Sequence, residues 1–447
     1  MNGLLTELFD SLGGPILLFF GFFIIYKVFQ VSGVNIEQAV SIMIALSPIW
    51  LPLALFFMLF DEWMKFVNLK FKVYNGRTTL RIHLPQEVFK SPAAMENVLH
   101  QIYNVNSSDN LMQAFLDGKH PLTYSFELVS IGGEVRFYIN VPKKKIKDMV
   151  EAHLYAEYPG IEVVEEDIDY TSEIPWDPEK YDYISFHMNK RKDEEFPIKT
   201  YVDYGLDKTP LPKEEEKSDP MAIMLEQLGK VKPHERVWIQ ILARPHTARS
   251  IKTGYLTAKP TWDSKVQAKV DEIMKRDTRI DASSDEPTER MTALTTNERD
   301  KIAAMERNVG KYAYEVGIRW MYITPSGKFD GNAISPFLRS FAPYDLLNRN
   351  GVGIKWRTDY DYNFFSDPTG KKVLRWKKSE LFMYKIRKYY MRERGKRTDE
   401  RKVFSSEELA TMFHIPGSTV VTPTLSRITS TKKGPPSNLP TGVFKGI

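Results

Sequence analysis

Residues 134–165 read EVRFYINVPKKKIKDMVEAHLYAEYPGIEVVE, and two kinds of hydrophobic pattern alternate along this stretch. Its first eight residues have the alternation typical of a strand, as do Ile161–Glu165 at its end. Between them, Lys143–Tyr158 carries apolar side chains at helical spacing, and Pro159-Gly160 ends the helix. The stretch therefore predicts strand, helix and strand in close succession, which is typical of an α+β fold.

The residues before this stretch complete a βαββαβ unit. Thr78–Leu84 is predicted to be a strand, and Pro92 opens a helix. Leu122–Ser130 and Glu134–Val141 are predicted strands, separated by a turn that contains two glycines. This order is the ferredoxin-like arrangement, and we assign it to residues 64–175.

The same order of elements recurs in residues 176–360, which we predict to be a second ferredoxin-like domain. RFYINVP at Arg136–Pro142 resembles RWMYITP at Arg319–Pro325, and each precedes a predicted helix. Short strand–helix matches also arise by chance, so generic α+β patterning is the alternative. The second copy has a helical insertion at residues 246–310. Its two charged helices either pack on each other or dock another subunit.

The first 60 residues are far more apolar than the rest. Ala39–Phe60 is 22 residues without a charge, enough as a helix to span a bilayer core of about 30 Å. Leu12–Phe29 is apolar except for Lys27, and the basic residues that open a signal peptide do not precede it. We therefore predict a transmembrane hairpin over residues 1–63. Lys and Arg residues that follow the second span place both termini on the cytoplasmic side of a bacterial inner membrane.

Composition and motifs exclude several classes of chemistry. The 447 residues include no cysteine, which rules out disulfides, iron–sulfur clusters and thiolate nucleophiles. The sequence has no nucleotide-binding phosphate loop, no G-x-G-x-x-G after a strand and no H-E-x-x-H among its eight histidines. We predict no catalytic residues, no cofactor and no metal site, and hence a protein that is not an enzyme.

Residues 361–402 form a basic helical segment in a chain whose net charge is only +5. Lys371–Lys402 contains 14 Lys and Arg against four acidic residues. Three interpretations compete: a solvated helix packed on the body, contact with nucleic-acid phosphates, and contact with anionic lipid. The acidic stretch Glu157–Asp182 is a further candidate partner, within the chain or between subunits. The candidate contact residues are Lys371, Lys372, Arg375, Lys377, Lys378, Lys385, Arg387, Lys388, Arg392, Arg394, Lys396 and Arg397.

The tail, residues 403–447, opens with a capping box at Ser405 and Glu408, followed by a short helix and a proline-rich stretch. Three stretches of the chain resemble a known family. They are GGEVRFYINVPKKKIKDMVEAHLYAEYPGIEV (132–163), ERVWIQILARP (235–245) and SSEELATMFHIPGSTVVTPTLSRITSTKKGPPSNLP (405–440). They resemble the membrane-anchored N-terminal region of type IV secretion or conjugative coupling-protein-like ATPases from Patescibacteria, a group of candidate-phyla bacteria.

The resemblance implies a function. In that family the last of these runs leads into a hexameric, DNA-translocating ATPase domain, whereas this chain ends at Ile447. The resemblance therefore implies a non-catalytic membrane anchor and scaffold subunit that docks a separate hexameric translocation ATPase, and that forms a homo-oligomer. The alternative is a membrane-tethered nucleic-acid-binding protein that contacts DNA through residues 371–402. The candidate partner-docking residues are Glu408, His414, Pro416, Gly417, Pro435, Pro436 and Pro440.

Overall fold

The computed structural model of the protein describes residues 40–41, 44–85, 90–103, 108, 110–144, 146–207, 219–248, 250–254, 260–275, 278–280, 289–291, 294–358, 367–389, 401–417 and 427–428. The strands are β1 (Thr78–Pro85), β2 (Tyr124–Ile131), β3 (Glu134–Val141), β4 (Glu162–Glu166), β5 (Tyr181–Lys190), β6 (Arg236–Pro245), β7 (Thr278–Ile280), β8 (Glu289–Met291), β9 (Ala313–Pro325), β10 (Val352–Arg357), β11 (Lys402–Ser405) and β12 (Arg427–Ile428). The helices are α1 (Ser47–Asn75), α2 (Ala93–Ile102), α3 (Leu111–Phe115), α4 (Lys147–Glu157), α5 (Ala222–Gly229), α6 (Trp262–Lys275), α7 (Thr296–Val309), α8 (Ile334–Arg339), α9 (Lys371–Lys385) and α10 (Ser406–Met412).

Ten of these strands form one large sheet that is mainly antiparallel. Its path is β10-β5-β9-β6-β2-β3-β1-β12, with β4 also paired to β1 and β11 also paired to β9. Among these pairings only β12 runs parallel to its neighbour, where Arg427 lies opposite Leu84. Eight residue pairs join β2 to β6, from Tyr124–Ala243 to Ile131–Arg236. The sheet therefore continues without a break from the first half of the chain into the second.

The prediction of two separate ferredoxin-like domains is wrong. Strands from residues 64–175 and from residues 176–360 belong to the same sheet, because β2 pairs with β6 along its whole length. Phe126 of β2 lies opposite Ile241 of β6, and both are part of one buried core. The observed architecture is an α+β fold in which helices pack on a single large sheet.

The predicted transmembrane hairpin is also wrong. Within the part of the chain that the structure describes, every helix is too short or too polar to cross a membrane. α1 begins at Ser47, and its uncharged part ends at Phe60 because Asp61 and Glu62 follow inside the same helix. That part, residues 47–60, is about 21 Å long, which is less than the roughly 30 Å of a bilayer core.

Because the predicted hairpin is wrong, the predicted inner-membrane location is wrong too. The description as a two-span membrane protein fails for the same reason. The other predicted span, Leu12–Phe29, lies outside the described residues.

Helices pack on both faces of the sheet. On one face α2, α4, α5 and α10 contribute to the main core, for example through Leu99 and Leu154, both fully buried. On the other face α9 packs over a second cluster, in which the Tyr384 ring lies 5.3 Å from that of Trp238. The inserted helices α6 and α7 pack on each other around Met305. The sheet is thus buried on both sides.

Candidate functional site

The tail segment, defined here as residues 402–417, is built into the core of the protein. β11 pairs antiparallel with β9, and every residue from Val403 to Pro416 is buried. The predicted capping box starts α10, because the Ser405 hydroxyl accepts from the Glu408 amide while the Glu408 carboxylate accepts from the Ser405 amide. The helix therefore begins at a fixed residue, which sets the position of both glutamates that follow.

Glu408 is held by a buried lysine on the sheet. The Lys190 ammonium of β5 lies 2.8 Å from the Glu408 carboxylate, and the two side chains are 0% and 1% exposed. The Ile198 amide donates to the same carboxylate oxygen, Oε1, at 2.9 Å. Burial lowers the pKa of Lys190, while the charge of Glu408 raises it. A buried charge needs such a partner, so each residue fixes the other.

Glu407 faces a different group of partners. The Thr200 hydroxyl donates to its Oε1 at 2.6 Å, and the Arg307 guanidinium of α7 lies 3.1 Å from the same oxygen. Its second oxygen, Oε2, is buried without a hydrogen-bond partner among the described residues. Burial raises the pKa of Glu407. This carboxylate is therefore less well satisfied than its neighbour.

The ends of α10 are tied to two further elements. The Ser406 hydroxyl donates to Glu96 of α2 at 3.1 Å and contacts His100 Nε2 at 2.8 Å. At the other end, His414 Nε2 lies 3.2 Å from the carboxylate of Asp219, which precedes α5. The tail segment is consequently bonded to α2, β5, α7 and the start of α5.

The predicted docking residues divide into two groups. Glu408, His414 and Pro416 are buried and contact this chain, and Gly417 is half-buried. Pro435, Pro436 and Pro440 lie outside the described residues. Docking through the latter group stays a prediction.

The predicted basic contact residues occupy α9 and the turn after it. Lys371, Arg375 and Lys378 are exposed along one side of the helix, and we call these three the basic helix face. No acidic side chain among the described residues pairs with any of them. Lys388 is exposed as well, while Lys372, Lys377 and Lys385 are half-buried. The predicted residues outside the described part of the chain are Arg392, Arg394, Lys396 and Arg397.

Arg387 turns inward instead of contributing to a basic surface. It follows α9 at φ +50°, in the left-handed region, and its side chain is 5% exposed. The guanidinium binds Glu127 of β2 at 3.1 Å through two nitrogens and also pairs with Asp169. The acidic and basic stretches of the sequence therefore meet within one chain at the Arg387–Asp169 pair. A left-handed arginine costs about 1–2 kcal/mol, so the buried pairing outweighs that strain.

Glu127 is the centre of a polar network between the sheet and α9. The Ser125 hydroxyl, the Tyr170 hydroxyl and the Gln240 amide all donate to its carboxylate, at 2.5, 2.7 and 2.9 Å. Burial raises the pKa of Glu127, but the charge and hydrogen bonds of Arg387 and the hydroxyls of Ser125 and Tyr170 lower it by more, so the pKa lies below the ordinary value. A pocket of about 330 Å³ opens beside the network, lined by Arg77, Asn140, Asp169, Lys385 and Arg387.

Sequence reasoning missed the sheet residues that hold both regions, Lys190 and Glu127. Each is a charged residue in a strand that is rich in apolar side chains, YDYISFHMNK in β5 and YSFELVSI in β2. A charged residue in a strand that is covered on both faces signals a buried partner. That signal requires knowing that both faces are covered. Among the described residues no group of His, Asp and Glu could hold a metal ion.

Comparison with known proteins gives a family but no activity. The family described as Domain of unknown function (DUF8128) matches residues 68–333, which is more than half of the 447-residue chain. No curated protein matches the chain. The matched range contains β1 to β9 and ends before α9 and the tail segment. This chain belongs to the family described as Domain of unknown function (DUF8128).

Proposed function

We propose that this protein is a non-catalytic scaffold subunit of a type IV secretion-like or conjugative translocation system, and that it docks a separate translocation ATPase. One observation carries the proposal. The tail segment, which holds the first part of the run that most specifically resembles the coupling-protein-like ATPases, is locked into the body over residues 403–416.

The way the tail segment is held suits a scaffold. Its bonds reach Lys190 on β5, Arg307 on α7 and Asp219 before α5, so it cannot shift without breaking buried or half-buried ion pairs. The point at which the chain continues beyond residue 417 is therefore fixed relative to the sheet, which is what a scaffold for a partner requires. Positioning of this kind needs no reactive group of its own.

Affinity purification of the tagged full chain from its own cells tests the proposal. We expect an ATP-hydrolysing partner to be recovered with the full chain and lost with a variant that ends after Ile428, which lacks Pro435, Pro436 and Pro440. That variant keeps the tail segment and β12, so its unfolding midpoint should stay close to that of the full chain. Recovery of no ATPase with the full chain, or equal recovery with both, would overturn the proposal.

Binding of nucleic acid is a second candidate, favoured by the basic helix face. Lys371, Arg375 and Lys378 follow each other at intervals of four and three residues, so all three project to the same exposed side of α9. Phe382 continues that side at 53% exposure and offers a ring for base stacking. Cationic side chains interleaved with an aromatic ring fit a single-stranded polyanion.

Filter binding of single-stranded DNA across a salt series tests this second candidate. Replacing all three cations by Glu should weaken binding and reduce the slope of log K against log salt by about 2, since each phosphate contact contributes about 0.7. Matched controls are Lys143→Glu, Lys180→Glu and Lys230→Glu combined, since these lysines are 60–76% exposed elsewhere. Equal binding by both triple variants would contradict the candidate. The same variants should leave ATPase recovery unchanged, which separates the two functions.

A further inference from the structure

A cavity of about 270 Å³ lies between α1 and the end of the sheet where β2 begins and β6 ends. Phe60, Met64 and Asn68 line it from α1, where a spacing of four residues places them on one side of the helix. The remaining wall comes from α3, from the segment before β2, from the end of β6 and from the turn at Ile251–Thr253. The cavity is therefore complete only when α1 is docked on the body.

Close contacts next to the cavity hold α1 in that position. The Phe60 ring lies 5.7 Å from the Phe115 ring, and Trp63 Nε1 donates to the Phe115 carbonyl at 2.6 Å. Gly254, which belongs to the wall, has a φ of +84°, and a Cβ there would come within 2.9 Å of the Met64 side chain. The walls of the cavity are consequently fixed by packing contacts.

The lining of the cavity combines apolar surface with positive charge. Its apolar side chains are Phe60, Met64, Ala114 and Pro121, and its cations are Lys65, Lys119 and Arg244. Among the described residues that line the cavity there is no Asp or Glu. Two carboxylates pair with these cations from outside the lining, Glu62 with Lys65 and Glu315 with Arg244. The lining itself is therefore positively charged.

His120 also lines the cavity, and its pKa reports the electrostatic potential there. The pKa is lowered to about 4, first by burial and then by nearby cations, although the hydrogen bond with the Gly118 carbonyl opposes this shift. Those cations are Lys72, Arg244 and Arg401. Charges that disfavour a further cation at His120 favour an anion in the same place. The cavity therefore suits a negatively charged ligand.

Arg244 and Lys119 supply the donors that a phosphate group takes. Arg244 carries five N–H groups and holds Glu315 through Nη2, so its other nitrogens can donate to a bound anion. The Lys119 ammonium has three N–H groups, one of which donates to Gln113 Oε1 at 3.3 Å. Charge-assisted hydrogen bonds from such groups are the short, strong contacts that phosphate oxygens form.

We propose that this cavity binds a phosphomonoester that carries an apolar group. Arg244 and Lys119 bind the phosphate. Phe60 and Met64 pack against the apolar group. Small-molecule sites usually enclose about 300–1,000 Å³, so a cavity of about 270 Å³ suits a compact ligand such as an aryl phosphate. The site shares no residue with the tail segment or the basic helix face, so it goes beyond the docking and the DNA binding proposed above.

Isothermal titration calorimetry of the full chain at pH 7 tests the site with phenyl phosphate, inorganic phosphate and phenol. Phenyl phosphate should bind about tenfold more tightly than either fragment, because only it contacts both parts of the lining. Lys119→Gln should weaken its binding about fivefold, whereas Lys180→Gln, at a lysine that is 76% exposed elsewhere, should leave it unchanged. Equal affinity for phenyl phosphate and inorganic phosphate, or equal binding by both variants, would overturn the proposal.

Hydrogen exchange gives a second measurement that needs no substitution. Because α1 forms one wall, saturating phenyl phosphate should slow amide exchange over residues 60–68 several-fold and leave exchange in α9 unchanged. Unchanged exchange over residues 60–68 in the saturated protein would place the ligand elsewhere and contradict the assignment to this cavity. Benzoate offers the same ring with a carboxylate, and binding of benzoate as tight as that of phenyl phosphate would contradict the choice of a phosphate.

Discussion

Lys190 and Glu408 form an ion pair at 2.8 Å although neither side chain reaches solvent. The lysine belongs to β5, which lies between β10 and β9 in the sheet, and the glutamate belongs to the first turn of α10. The Lys190 ammonium also lies 4.6 Å from the centre of the Phe404 ring, so the tail segment surrounds it with partners. The Lys190–Glu408 pair is the point at which α10 is fixed to the sheet.

Neutralising Glu408 should change the free energy of unfolding far more than neutralising the adjacent Glu407. Glu408→Gln removes the charge that Lys190 needs, and we expect it to lower the free energy of unfolding by about 3–5 kcal/mol. Glu407→Gln should change it by less than about 1 kcal/mol, because that carboxylate has one unpartnered oxygen and a half-exposed arginine. Urea unfolding of both variants at pH 7 measures the difference.

The pH dependence of Glu407 gives the control for that comparison. Its folded pKa is raised by burial above the ordinary 4.5, so its ionisation opposes folding as pH rises above 4.5. Relative to the natural chain, Glu407→Gln should therefore become more favourable as pH rises through that window. A loss as large as that of Glu408→Gln would show that Glu407 is essential to the packing of α10.

Arg387 and Glu127 should show strong coupling in a double-mutant cycle. Arg387→Gly relieves a left-handed arginine but leaves Glu127 charged and fully buried, so we expect a loss of about 3 kcal/mol. Adding Glu127→Gln should recover part of that loss, because a neutral amide no longer needs the guanidinium. Additive losses would mean that the pair is not the link between α9 and the sheet.

Replacing Gly118 and Gly205 by alanine distinguishes the cost of a steric clash from the cost of a positive φ, because the two glycines have nearly the same φ. Gly118 and Gly205 have φ of +63° and +69°, but a Cβ would overlap the Val67 backbone at the first and meet nothing within 4 Å at the second. Gly205→Ala should cost about 1 kcal/mol from the angle alone. Gly118→Ala should cost more and should speed hydrogen exchange over residues 60–75. Equal exchange in both variants would show that α1 does not dock at Gly118.

Acid should weaken the attachment of α10 to α2 through Glu96. Burial raises the pKa of Glu96, but hydrogen bonds from His100, Tyr201 and Lys311 lower it more, to about 2. The folded pKa lies below the ordinary 4.5, so this contribution is present above pH 4.5 and is lost as pH falls towards 2. Glu96→Gln should flatten that part of the stability profile by about 3 kcal/mol. If Glu96→Gln leaves the dependence of the unfolding free energy on pH unchanged between pH 4.5 and 2, Glu96 does not make this contribution.

Local patterns predicted most of the individual elements. The predicted strands at Thr78–Leu84 and Glu134–Val141 and the helix over Lys143–Tyr158 match β1, β3 and α4. Each is decided by the hydrophobic period or by a proline or glycine within a few residues. The apolar and polar residues that alternate over 198–204 (IKTYVDY) do not form a strand, because the Thr200 and Tyr201 amides bond to the Asp203 and Thr411 side chains instead of to a neighbouring strand.

Local sequence patterns do not predict which residues far apart in the chain contact each other. A capping box at Ser405 predicts where α10 begins, but Lys190 lies 218 residues from Glu408 and no local pattern connects the two. Charged residues are rarely buried without a partner, and nothing in the local sequence of Glu407 and Glu408 indicates one. The apolar run Ala39–Phe60 predicts a membrane span, and this prediction is wrong because α1 begins at Ser47 and continues into charged sequence.

The separation of Lys190 from Glu408 has a consequence for synthesis on the ribosome. At about 5–20 residues per second, on the order of 10–40 s pass between the emergence of the lysine and of its carboxylate. During that interval the site for α10 is open, with a sheet lysine and apolar side chains such as Tyr158 facing water. The body without its tail segment is then the form most prone to aggregate, and a nascent-chain chaperone has its longest task before residues 402–417 emerge.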